Sequence, residues 1–279
     1  MHKGKTSSFL KFILIITLIS TGVFALDINS NSAKASSAKK EITTKNVRGS
    51  MKDVTLRVGT SGVFAPFSYY DASGKKLIGY DIDLLNKLQN ILGYKIKNNI
   101  QVEDYAPLIT SISEKKLDVV AAALCATSER KKVMSFSTTY FKSGLMVMIN
   151  KTKKTGITSV HTLKGKVVAV EKGTASHTYA SKHLTSSTIQ PYDKISGALE
   201  ALKQGKVDAV IQDGPNCSYY FRVHKKSNLK AVGKEFDKSQ SPYAIGLTKN
   251  SKYKKNFNAA LKILKNNGTL NKLDKKWTE

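Results

Sequence analysis

The chain has 279 residues, 41% of them hydrophobic, which is enough for two ordinary lobes that each bury a core and large for a single one. Its 46 Lys and Arg against 20 Asp and Glu leave a formal charge of +26, which attracts polyanions without saying which. The histidines are scattered, and the sequence has no glycine-rich phosphate loop, metal-spaced His/Cys cluster or Gly-x-Ser-x-Gly elbow, so nucleotide, metal and serine-hydrolase chemistry lose support and no cofactor is expected.

Lys3, Lys5 and Lys11 precede an apolar run, Phe12 to Ile19, that weakens through Ser20, Thr21 and Gly22. This pattern reads as a secretory signal over residues 1–35, with Ala33-Lys34-Ala35 before Ser36 as the cleavage site. The apolar run is shorter than the roughly 18 residues that read as a spanning helix. No cysteine closes the signal region, so a lipid anchor is not expected, and a secreted or cell-surface protein retained on anionic cell-wall polymers is. Residues 36–52, rich in Ser, Thr, Asn and Lys, read as a flexible linker.

Val54, Leu56 and Val58 alternate with Thr55 and Arg57 as in a strand, and the turn-rich Gly59 to Gly62 follows. Asp81 and Asp83 open a helix whose Ile82, Leu85, Leu88 and Leu92 recur at helical spacing, with Gly93 as its stop. A second helix near Leu108 to Glu114 leads to a buried strand, Asp118 to Leu124. Later Ser196 reads as the cap of Ala198 to Lys203, before Gly205 and the strand Val207 to Ile211. Lys116-Leu117-Asp118-Val119-Val120 and Lys206-Val207-Asp208-Ala209-Val210 each follow an amphipathic helix, which two similar α/β lobes explain most simply. Cys125 and Cys217 then fall in different lobes, where a bridge would lock them, and are expected as free thiols.

Ligands of open α/β sheets gather beyond the carboxyl ends of strands, so the residues after Val120 and Val210 are the first to inspect. Thr127 reads as a helix N-cap and puts Arg130 in the first turn, against the helix dipole. Its fork suits a carboxylate, and the alternative is a solvated arginine beside Lys131 and Lys132. Asp213 can take an ammonium or cap a helix, and Gln212 offers a donor and an acceptor. Opposite charges from two lobes fit a zwitterion, such as a free amino acid. Phe64 and Tyr105 read as aromatic walls for its apolar part, or as ordinary core.

Ala65-Pro66-Phe67 with Gly79-Tyr80-Asp81-Ile82-Asp83-Leu84, Thr127-Ser128-Glu129-Arg130-Lys131-Lys132 with Phe136-Ser137, and Tyr140-Phe141-Lys142-Ser143-Gly144-Leu145 carry a family resemblance. So do Val168-Ala169-Val170, Gly173-Thr174, Asp213-Gly214-Pro215-Asn216 and Asn267-Gly268-Thr269 to Lys275-Lys276-Trp277. Over residues 53–279 the chain resembles the polar amino acid-binding proteins of ABC importers (bacterial extracellular solute-binding proteins, family 3), most closely the glutamine-binding members. The resemblance implies an α/β, two-lobed periplasmic-binding-protein-like (type II) fold with a hinge of two crossing strands. Lobe 1 would be 53–142 and 240–279, and lobe 2 would be 146–235.

It also implies a non-enzymatic, monomeric protein that closes on an amino acid and delivers it to an ABC transporter permease. Nucleic acid is not an expected partner, because the lysines are spread over both lobes and the export signal leads away from intracellular nucleic acid. By position Arg130 matches the carboxylate-binding arginine, Asp213 the amino-group aspartate, and Phe64 and Tyr105 the aromatic sandwich. Ser61, Glu171 and Gln212 stand where the glutamine pattern has aspartate, lysine and histidine. Cys125 replaces a hydroxyl residue, and Ala123 and Ala175 replace glycines whose backbone groups bind ligand, with Thr174 beside them. A glutamine-like ligand is the first expectation, while Glu171 would admit a cationic side chain or pair with Lys172. The alternatives are a cationic surface adhesin, or an enzyme resembling cyclohexadienyl dehydratases that uses Glu171 as its acid.

Overall fold

The computed structural model describes residues 41–279; the expected signal and its cleavage site lie outside the described residues. In chain order, β1 (Thr55–Leu56) and β2 (Val58–Thr60) precede a three-stranded antiparallel sheet of β3 (Val63–Phe64), β4 (Ser68–Tyr70) and β5 (Leu77–Ile78). Helix α1 (Tyr80–Leu92) follows, burying Leu84, Leu85, Leu88 and Leu92, with Asp81 and Asp83 in the first turn where the dipole favours anions. Gly93, at φ 82°, ends it in the left-handed conformation that glycine adopts without strain.

Next come β6 (Lys95–Ile96), β7 (Gln101–Val102), α2 (Tyr105–Ser113), β8 (Val119–Val120), α3 (Ser128–Val133) and β9 (Met134–Phe141). The middle of the chain supplies β10 (Leu145–Asn150), β11 (Val167–Glu171), α4 (Ala175–His183), β12 (Thr188–Tyr192), α5 (Ile195–Gln204), β13 (Ala209–Asp213), α6 (Gly214–Val223) and β14 (Leu229–Phe236). β15 (Tyr243–Thr248), α7 (Lys254–Asn266) and α8 (Thr269–Trp277) complete it.

Two five-stranded sheets share one topology. The first runs β7-β2-β8-β15-β9 and the second β12-β11-β13-β10-β14; in each, four strands run one way and a single reversed strand, β15 or β10, lies between the third and the outermost of them. The chain passes from the first sheet to the second between β9 and β10, and returns between β14 and β15. The sequence repeat has a structural counterpart: Asp118 Oδ2 accepts from the Arg57 amide at 2.8 Å, and Asp208 Oδ2 from the Val167 amide at 2.9 Å. Each aspartate thus ties the entry of a central strand to its neighbour. This is the two-lobed type II arrangement.

Three expectations need correction. Residues 41–52 are not a loose tether: Val47 and Met51 are buried in the core that holds α1, and the amides of Gly49 and Met51 donate to Ile91 O and Leu92 O at 2.8 Å. Those carbonyls end a helix and lack intrahelical partners, which gives the segment its anchor. The strand after Leu117 is only Val119–Val120, because Ala123 turns to φ 48° and gives its amide to Asp81. Ser196 does not cap α5, which begins at Ile195 with Lys194 in the cap position.

Candidate functional site

Thr127 accepts the Arg130 amide at 3.2 Å and so starts α3 with Arg130 in its first turn. The arginine is only 7% exposed. Its Nη1 donates to Cys125 O and its Nη2 to Gly173 O, both at 2.9 Å, so the guanidinium reaches from one sheet's loops to the other's. It also lies 5.3 Å from the Tyr105 ring centroid, a cation–π distance. A solvated surface arginine is thereby excluded.

Asp213 ends β13 and occupies the N-cap position of α6, yet its side chain makes no cap hydrogen bond. Its Oδ2 instead accepts from the Tyr243 hydroxyl at 2.6 Å and lies 3.8 Å from Cys125 Sγ. Burial raises its pKa to about 6, while the Tyr243 hydroxyl and the Arg130 charge hold it down. Arg130 and Asp213 form no direct ion pair; Cys125 stands between them, touching the first through its carbonyl and the second through its sulfur. Burial, and then the Asp213 charge, pushes the Cys125 thiol well above its usual value. Cys125 and Cys217 are both free.

Glu171, at the end of β11, is the least satisfied group in this neighbourhood. It is 1% exposed and neither carboxylate oxygen has a hydrogen-bond partner. Lys172 does not pair with it. Burial, reinforced by the nearby Asp213 charge and more weakly by Asp104, raises its pKa to about 8, whereas the Ile195 amide at the start of α5 lowers it without completing a hydrogen bond.

Phe64 and Tyr105 are buried with ring centroids 6.1 Å apart, tilted at 45°. Ser61 is buried and meets Ser68 hydroxyl to hydroxyl at 3.2 Å. Thr174 caps α4, accepting the His177 amide at 3.3 Å and donating to Glu171 O at 2.6 Å, which places Ala175 at the first helical residue. Ala123 spends its amide on Asp81 at 2.5 Å. The structure does not bring the Gln212 side chain here: its Nε2 lies 2.9 Å from Met148 Sδ, among the lobe-two core residues Val210 and Cys217. Strand alternation explains this, since neighbours on β13 face opposite sides of the sheet.

Tyr243 and Asp81 carry hydrogen bonds in this site that sequence spacing does not reveal. Tyr243 pairs with Asp213 across the returning strand, and Ser143 donates to its hydroxyl at 3.1 Å. The sequence marks Asp81 as a helix-start residue and as part of the Gly79-to-Leu84 motif, not as a hydrogen-bond acceptor of this neighbourhood.

The chain matches the model of the bacterial extracellular solute-binding proteins, family 3, over residues 56–279. It is 32% identical over 227 residues to the arginine-binding extracellular protein ArtP of Bacillus subtilis (strain 168), covering 80% of this chain and 85% of ArtP. It is 32% identical over 215 residues to the ABC transporter glutamine-binding protein GlnH of the same organism, covering 76% of each. Among solved structures, an ancestral arginine-binding protein bound to arginine superposes with a TM-score of 0.74 at 35% identity, covering 84% of this chain and all (100%) of that one.

Proposed function

The chain belongs to the bacterial extracellular solute-binding proteins, family 3, and on that premise we propose that it closes its two lobes on a free L-amino acid with a cationic side chain, L-arginine first. At the coarser level it is an amino acid-binding protein of an ABC transporter, as its relatives are. In the proposed complex Arg130 takes the α-carboxylate, Asp213 the α-ammonium, and Phe64 and Tyr105 cover the side-chain methylenes. Hinge closure between the lobe sheets then traps the ligand for delivery to a permease, outside the cytoplasm.

The observation that carries the cationic reading is Glu171, buried with both oxygens unpartnered beside a second carboxylate. Arg130, Asp213 and Glu171 sum to one net negative charge when ionised, and a ligand of net charge plus one neutralises it. An uncompensated buried carboxylate is costly, so a guanidinium there removes a penalty that a neutral side chain leaves.

A glutamine-like ligand is the second reading, favoured by the same residue in its protonated form. With its pKa raised to about 8, Glu171 is mostly protonated at neutral pH in the ligand-free closed site and could donate to an amide carbonyl. The two readings have opposite signs with pH. Arginine needs the ionised carboxylate, so its affinity should rise from about pH 6 to about pH 8; glutamine needs the protonated form, so its affinity should fall as pH passes about 8. Calorimetric titration of each across that range, with Glu171→Gln as control, checks this. Arginine affinity that is flat with pH, or equal in the variant, would count against Glu171 as the side-chain partner.

A further inference from the structure

The lobes also meet away from the ligand gap. Helix α6 leaves directly from Asp213 and carries Asn216, Tyr219 and Arg222 at intervals of three, which sets them on one stripe. All three reach across to the other lobe. Asn216 Nδ2 donates to Ala65 O at 2.5 Å. The Tyr219 hydroxyl donates to that of Tyr69 at 3.3 Å, with ring centroids 5.9 Å apart. Arg222 donates from Nη2 to Trp277 O at 2.8 Å and from Nη1 to Glu279 O, its guanidinium lying 5.3 Å from the Tyr219 ring centroid.

The receiving surface is held in place. Trp277 Nε1 donates to Asp83 Oδ2 at 2.9 Å, Lys276 pairs with the same oxygen at 2.7 Å, and the Trp277 ring meets Tyr69 edge-on at 6.3 Å. Arg222 therefore finds, in Trp277 O, a carbonyl at the end of α8 that lacks an intrahelical partner, where the helix dipole favours a cation. Asn216 Oδ1 is buried without a partner, so the bond to Ala65 O is the hydrogen bond its side-chain amide makes among the described residues. None of these side chains shares a hydrogen bond with Arg130, Glu171 or Asp213.

We propose that Asn216, Tyr219 and Arg222 form a closing seam: positioning residues that hold the lobes shut from outside the gap and so set how long the captured ligand stays. Opening the hinge would part all three contacts together while leaving α6 and α8 each folded. Single exposed contacts contribute little, but a stripe that makes or breaks as one unit shifts the closed population by their sum. Contacts that form after ligand entry act on escape more than on encounter.

The seam rests on the capture reading, and the test separates the two. Stopped-flow dissociation is measured for L-arginine and for the tightest-binding of the twenty L-amino acids, on wild type, Arg222→Ala/Tyr219→Phe and Arg222→Lys, with thermal unfolding of each ligand-free protein. The double variant is expected to release ligand about tenfold faster, with association within about twofold. Its ligand-free melting temperature should stay within about 2 °C, and Arg222→Lys should retain most of the dwell time. Unchanged dissociation in the double variant overturns the seam, as does a fall in ligand-free melting temperature without faster release. Wild type that binds none of the twenty overturns the capture reading and the seam with it. If the double variant fails to fold, Tyr219→Phe alone decides, with about threefold faster release expected and no change overturning the proposal.

Discussion

Asp81 shows what one side chain does in this molecule. It lies in the first turn of α1, yet it is fully buried and accepts from the Ala123 amide and the Tyr140 hydroxyl, each at 2.5 Å. Burial raises its pKa to about 7, and the two hydrogen bonds restrain the rise. The folded protein therefore binds this proton more tightly than the unfolded chain does, whose value is near 3.8. The stability it lends is complete below about pH 4 and is lost as pH climbs towards 7. Asp213, raised to about 6, and Glu171, raised to about 8, act with the same sign. Chemical denaturation of the ligand-free protein from pH 5 to pH 8 should show a decline that is shallower in Asp81→Asn. Parallel curves for the two proteins would remove Asp81 from this role.

At the scale of elements, the strap of residues 41–52 packs like part of the lobe. Met51 is buried against the end of α1, so Met51→Ala should lower stability by about 2 to 4 kcal/mol, measured by denaturant titration. A loss under about 0.5 kcal/mol would mean the strap is detached in solution. Its composition hid this, since three apolar side chains, Ile42, Val47 and Met51, among Ser, Thr and Lys are too few and too unevenly spaced to show a period. Helix α1 was legible because its stripe spans three turns and Gly93 ends it; the repeat at Asp118 and Asp208 was legible because both lobes use the same aspartate-to-amide tie. Arg130 stood out as a cation in a first turn, against the dipole. Gln212 misled because it neighbours Asp213 in sequence while the strand turns it to the other face. Tyr243 and the α6 seam depend on chain segments brought together by the return crossing, and no local pattern encodes that.

The whole molecule joins two sheets of one topology by two crossing segments, and the buried Arg130, Glu171, Thr174 and Asp213 lie at strand ends of those sheets or at the starts of the helices that follow. Arg130 spans the two lobes, bonded to Cys125 on its own side and Gly173 on the other, and Asp213 lies beyond Cys125. In the proposed complex this pair holds the two charged ends of one amino acid. Calorimetric titration of L-arginine into wild type and Arg130→Ala checks this. Wild type should bind one equivalent, and the variant should lose about 2 to 5 kcal/mol of binding free energy, at least a tenfold weakening. An Arg130→Ala protein that binds as tightly as wild type would contradict this arrangement.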